Sequence, residues 1–186
     1  MRLEDLAGLR FNYDVVGSTR YDETPPGYHR LEYRERIGAG DEVFRRAADA
    51  LLTWRMHRTA GIPVTATATP PEVGTNSLGR LGPGMLIPPL RTRTQLGLPV
   101  PCRVVRVVDE PDRIGFAYGT LEGHPEAGEE LFLVTRDSDS VYATIRAYSR
   151  PATWYTHVAG PVTRMAQHYA ATRYAAALRR LSTWRA

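Results

Sequence analysis

The sequence predicts an α+β fold in which a curved antiparallel sheet is handed directly to a long C-terminal helix. Three observations carry this. From Pro101 to Arg150 the chain breaks into β-rich runs, Cys102 to Val108, Ile114 to Thr120, Glu130 to Arg136 and Val141 to Ser149, separated by turn chemistry. After Arg150-Pro151 an amphipathic segment runs almost to the end, with Trp154, Val158, Val162, Met165, Tyr169 and Ala176 at steps of three, four or seven. The length of 186 residues, 42% hydrophobic and 24% charged, suits one globular core, so residues 1–186 are read as a single domain.

In chain order, residues 1–27 form a lead-in. Phe11, Tyr13 and Val15 alternate with Asn12, Asp14 and Val16, which predicts an edge strand, and Pro25-Pro26-Gly27 closes it with a turn. Tyr28 to Ile37 predicts a half-solvated strand, because Leu31, Tyr33 and Ile37 alternate with Arg30, Glu32, Arg34 and Arg36. Gly38-Ala39-Gly40-Asp41 then opens a helix whose apolar positions Phe44, Ala48, Leu51 and Leu52 share a face and whose stop is Gly61. This Gly-x-Gly after a strand imitates a dinucleotide fingerprint. It lacks the third glycine, and Asp41 and Glu42 stand where a pyrophosphate would place its charge. Residues 62–100 predict short strands with irregular links. Prolines 88, 89, 99 and 101 argue for an edge or a loop over the mouth of the fold.

All 24 basic residues are arginine, and without a lysine no Schiff base, pyridoxal-phosphate or phosphate-loop chemistry is available. The net charge of +4 is scattered and no recognition motif accompanies it, so nucleic acid is not an expected partner. Cys102 is the only cysteine, which rules out an internal disulfide, and no partner base is identifiable for it. Glu4 and Asp5 are unlike the start of a secretory signal, and no apolar run reaches membrane-spanning length. The expectation is a cytoplasmic protein with no membrane attachment, no metal and no cofactor.

The runs PPGYH (25–29), LLTWRMHRTAG (51–61), PCRVV (101–105), VVDEPDRIGFAYGTLEGHPEAGEE (107–130), SRPATW (149–154) and AGPV (159–162) resemble an uncharacterised family known as domain of unknown function nineteen-ninety. The likeness is weakest between Pro63 and Pro99. The order of elements is similar to that of the START-like, polyketide-cyclase-like helix-grip group. That resemblance implies a sheet wrapped around the last helix, with a cavity between them that takes a small apolar or aromatic metabolite.

If the helix crosses the sheet, Trp54, Phe116, Tyr118, Phe132, Ile145, Trp154, Met165 and Tyr169 are the candidates to line such a cavity, with Val141, Ala143 and Ala147 leaving room beside Ile145. The same side chains would equally fill an ordinary core. For chemistry the place to look is the link LEGHPEAGE, where His124 with Glu126 or Glu130 could serve a cofactor-independent cyclase or lyase as general acid and base. Pro125 and Gly128 disrupt the helical spacing that a zinc-protease motif needs, and adjacent Glu129 and Glu130 face opposite ways if they begin a strand. Arg103, Arg106 and Arg146 clamp a ligand carboxylate only if they turn inward, and alternation sends Arg146 outward. His57 is either a pocket residue or a cation at a helix end. A third reading is a non-catalytic homodimeric interaction domain, with outward Tyr142 and Tyr148 supplying interface aromatics.

Overall fold

In a computed structural model of the chain, which describes residues 1–21, 23–82, 97–153 and 160–183, the elements follow in the order β1 (His29–Ala39), α1 (Asp41–Leu52), α2 (Arg55–Ala60), β2 (Val64–Ala66), β3 (Asn76–Leu81), β4 (Leu98–Glu110), β5 (Arg113–Thr120), β6 (Glu126–Asp137), β7 (Ser140–Pro151) and α3 (Gly160–Thr183). Every strand pairing is antiparallel, and the sheet order is β1-β7-β6-β5-β4-β3-β2. β4 to β7 form a meander, and the N-terminal strand β1 closes it by pairing with β7. Helix α3 packs against α1, α2, β1 and β7, so the predicted α+β arrangement of a curved sheet and a C-terminal helix is the one the chain adopts.

Cross-strand register divides the concave face of the sheet into layers. Phe116 pairs with Phe132 and Phe132 with Ile145; the next layer pairs Tyr118 with Glu130 and Glu130 with Ala147. On the side of the first layer the face is filled by Phe44, Leu51 and Trp54 from α1 and its end, and by Tyr174, Ala175 and Leu178 from α3. On the side of the second layer it is not filled, and this boundary positions the site described below.

Several sequence expectations are corrected. The lead-in is no edge strand: residues 3–8 and 18–20 are 3₁₀ turns, and Phe11 makes a single bridge to Leu121. Its polar groups are taken up by side chains instead of a ladder, because the Glu129 carboxylate accepts hydrogen bonds from the Tyr13 hydroxyl (2.9 Å), the Gly17 and Thr19 amides (2.7 and 3.0 Å) and the Thr19 hydroxyl. Tyr148 therefore is not an outward interface aromatic. The lead-in covers it completely, and its hydroxyl donates to Tyr21 O (2.9 Å). Tyr142 lies under the Arg34 guanidinium, 3.5 Å from the ring centre.

The helix expected from Asp41 to Gly61 is two. α1 ends at Leu52, Trp54 adopts a left-handed conformation (φ 60°) and is fully buried, and α2 restarts at Arg55. Burial of the indole, whose Nε1 donates to Ala68 O (3.3 Å), offsets the cost of that backbone. Pro99 and Pro101 lie inside β4, against the expectation of an edge or loop. The strand tolerates them because residues 98–101 have a ladder partner only in β3, and β5 joins from Cys102 onward. β6 begins at Glu126 instead of Glu130, so the long titratable link shrinks to Leu121–Pro125. β7 extends through Pro151, and α3 starts at Gly160. Of the stretch read as a lid or connection, residues 83–96 lie outside the described residues, as does Trp154.

Gly38 and Gly40 hold no phosphate-binding loop. The Gly40 amide donates to Asp139 O (2.8 Å), and Asp41 is ion-paired with Arg136.

Candidate functional site

Beyond the layer of Tyr118, Glu130 and Ala147, the sheet, α2 and α3 enclose a cavity of about 520 Å³. This is the size of a small-molecule site. Its walls are apolar over most of their area and include Trp54, Ile62, Val64, Val100 and Ala147. Ala166, Gln167 and Ala170 of α3 close one side.

Alternation along each strand explains the change from core to cavity. The inward set of β6 reads Val134, Phe132, Glu130, Gly128, Glu126, and that of β5 reads Ile114, Phe116, Tyr118, Thr120. Both turn from apolar to polar or small at the same layer. Glu130 accepts a hydrogen bond from the Tyr118 hydroxyl (3.0 Å), and Tyr174 of α3 lines the same space. Burial, aided by the neighbouring Glu126 charge and opposed by the Tyr118 hydrogen bond, pushes the Glu130 carboxyl up to about 7. Glu126 is also raised by burial, although Gln167 donates to it and the same amide lies 2.7 Å from Ser149 Oγ.

His124 lines the cavity from the turn before β6, where its amide donates to Leu121 O (3.0 Å). Its Nδ1 lies 3.0 Å from the Glu126 amide nitrogen and 2.9 Å from the Glu126 carbonyl oxygen, so the tautomer decides whether it accepts from the one or donates to the other. Burial lowers its pKa to about 4, so the ring is neutral at physiological pH. Of the candidate acid-base groups His124, Glu126 and Glu130, Glu130 is the one raised to near neutral pH, where a carboxyl can exchange its proton.

His57 of α2 also lines the cavity. It is 1% exposed, and neither ring nitrogen has a hydrogen-bond partner among the described residues. The rings of Trp54, Phe116, Tyr118, Phe132 and Tyr174 surround it at centroid distances of 5.0–6.2 Å. Burial lowers its pKa to about 3, so it is a neutral pocket residue and not a helix-end cation.

The sequence-derived candidates therefore divide. Trp54, Tyr118, His124, Glu126 and Glu130 line one cavity. Phe116, Phe132 and Ile145 are at most 1% exposed and form the core layer beneath it. Met165 (73% exposed) and Tyr169 (36%) lie on the solvent side of α3, contrary to expectation. The side of α3 that faces inward is Gln167, Ala170, Ala171, Tyr174 and Leu178. Gln167 and Tyr174 were missed because the stripe was phased on large apolar residues, whereas here the cavity wall is alanine and amide. Arg103 does not enter the cavity: it bonds Asn76 Oδ1 and Leu6 O, both at 2.7 Å. Arg146 pairs with Glu32 at 3.1 Å on the outer side. Burial raises the Cys102 thiol well above its usual range, and among the described residues no three potential ligands converge to hold a metal.

Comparison with known proteins sets this geometry in a family. The family described as Domain of unknown function (DUF1990) matches residues 12–177. The chain belongs to this family. Among its relatives, a UPF0548 protein of Deinococcus radiodurans is 32% identical over 173 residues, covering 88% of this chain and 83% of that protein. A UPF0548 protein of Dictyostelium discoideum is 28% identical over 165 residues, covering 78% and 70%.

Among solved structures, a truncated norcoclaurine synthase from Thalictrum flavum superposes with a TM-score of 0.58 at 11% identity, over 89% of this chain and all of that one. A hypothetical protein, jhp0584, from Helicobacter pylori gives 0.58 at 12% identity over 93% and 96%. At this identity the likeness concerns the fold alone, and it assigns this DUF1990 chain to the START-like helix-grip fold. No helix among the described residues is long and apolar enough to cross a membrane.

Proposed function

We propose that this domain binds a small, largely apolar molecule non-covalently in the cavity between the sheet and α3, without a resident cofactor. The observation that carries the reading is the unfilled half of the concave face: about 520 Å³ lined mainly by apolar side chains, beside a core that is closely packed on the other half. Proton-transfer chemistry in the same space would rest on Glu130, beside His124 and Glu126.

Filling the space tests the reading. Ala147→Phe projects a ring into the cavity from β7, while Leu131→Ala truncates the opposite face of the sheet. Uptake of the uncharged environment-sensitive dye 6-propionyl-2-(dimethylamino)naphthalene or of tryptophol, followed by fluorescence and calorimetry, is expected to fall at least tenfold in the Ala147 variant. It should persist in the Leu131 variant at a temperature where both are folded. Equal uptake by both would show that binding occurs elsewhere.

A further inference from the structure

The chain carries 24 arginines, yet no described residue lining the cavity is an arginine. The lining contains instead the carboxyl side chains of Glu126 and Glu130, and none of the groups acting on either carboxyl is a cation. Each has a partial set of partners: Tyr118 for Glu130, Gln167 for Glu126. The contrast with Glu129, one residue away, is informative. That carboxylate is buried too, but four donors saturate it and it serves the architecture.

A second, independent feature faces the same space. His57 lines the cavity as a buried imidazole with both ring nitrogens unpartnered among the described residues, and a buried polar group without a partner requires an explanation. The ring stays neutral, so it offers a lone pair on one nitrogen and a proton on the other without repelling a cation. Trp54, Tyr118 and Tyr174 supply aromatic faces beside it, the surface that best accommodates a flat apolar body and an adjacent positive charge.

Resting on the binding reading above, we propose that the cavity takes its ligand as a cation: a primary amine carried on a flat apolar body. The ammonium lies against the Glu130 carboxylate, and the body lies among Trp54, Tyr118 and Tyr174 beside the neutral His57 ring. An anionic ligand of the same shape would meet Glu126 and Glu130 with no arginine among the described lining residues to compensate, so carboxylates are selected against.

The charge of Glu130 makes the preference pH-dependent. The titratable groups around it are Tyr118 from β5, Cys102 from β4, Tyr174 from α3, His57 from α2, His124 from the preceding turn and Glu126 from its own strand. The phenols and the thiol are raised well above their usual ranges and the two imidazoles lie near 3 and 4, so none of these titrates between pH 6 and 8. Glu130, near 7, does, and Glu126 is raised in the same direction.

The test is calorimetric titration with three near-isosteric probes: tryptamine, tryptophol and indole-3-propionate. At pH 8 tryptamine should bind at least tenfold more tightly than tryptophol, and indole-3-propionate more weakly than either. Lowering the pH to 6 should weaken tryptamine by about tenfold, as Glu130 takes up its proton, and leave tryptophol unchanged. Glu130→Gln should bring tryptamine down to the level of tryptophol, and retained tryptophol binding shows that the variant is folded. Tryptophol binding as tightly as tryptamine, or a tryptamine preference that survives Glu130→Gln, overturns the amine assignment while the binding site stands. Failure of all three probes, together with no uptake of the uncharged naphthalene dye, overturns the binding reading and the amine assignment with it.

Discussion

Adjacent glutamates on β6 do opposite work because a strand sends successive side chains to opposite faces. Glu130 enters the cavity with one hydroxyl partner, whereas Glu129 leaves through the other face and ties down the lead-in. A buried carboxylate held only by hydrogen bonds is sensitive to loss of its acceptor character, because an amide in its place turns an NH₂ toward donors. Glu129→Gln is therefore expected to cost about 2–4 kcal/mol in urea unfolding at pH 7 and to speed hydrogen exchange at the Gly17 and Thr19 amides. Glu130→Gln should leave those amides unchanged. The alternation that separates these two residues was legible in the sequence, but which of them faced inward was not, since that depends on what covers each side.

At the scale of elements, the four-strand meander was legible because hydrophobic alternation and turn residues act locally, and the strands from Cys102 to Ser149 appear where they are expected. Helix α3 was legible as a helix but not in its orientation. Its inward stripe is poor in large apolar residues where it spans the cavity, so the apolar pattern pointed to Met165 and Tyr169, which face solvent. The break between α1 and α2 was hidden because the left-handed turn at Trp54 is enforced by burial of the indole and not by glycine or proline. Between β6 and β7 a glycine does decide the geometry. A Cβ on Gly128 would lie 1.8 Å from Tyr148 O, so the two strands approach there more closely than any side chain allows. Gly128→Ala should cost roughly 2 kcal/mol or more, read as a fall in Tm, and should weaken tryptophol binding because Gly128 and its partner Ser149 both line the cavity.

For the whole molecule, the cavity couples to stability through its titratable lining. His57 and His124 are lowered to about 3 and 4, so the unfolded chain binds more protons than the native one up to about pH 6.5, and their contribution makes stability rise with pH across that window. Glu130 is raised from 4.5 to about 7, so the native state binds more protons between those values, and its contribution makes stability fall as pH rises through them. Between about pH 4.5 and 6.5 the two histidines raise stability with pH, and Glu130, with Glu126 shifted in the same direction, lowers it. Replacing Glu130 by Gln removes the falling one: it should stabilise the protein by roughly 1–3 kcal/mol more at pH 8 than at pH 5 in urea titrations. A variant equally stabilised at both pH values would show that Glu130 titrates normally.

What the sequence by itself determined is what short-range physics carries: the strand meander, the existence of a long terminal helix, the family and fold group, and the titratable cluster at residues 124–130. What only the tertiary structure decided is what depends on packing between distant elements. It shows that the concave face is filled up to the layer of Phe116, Phe132 and Ile145 and open beyond it, that α3 turns alanine and amide side chains toward the gap, and that His57, 67 residues before His124 in the chain, faces the same space. Periodicity reports which side of a strand or helix is covered, and a packed neighbour and a cavity leave the same periodic trace.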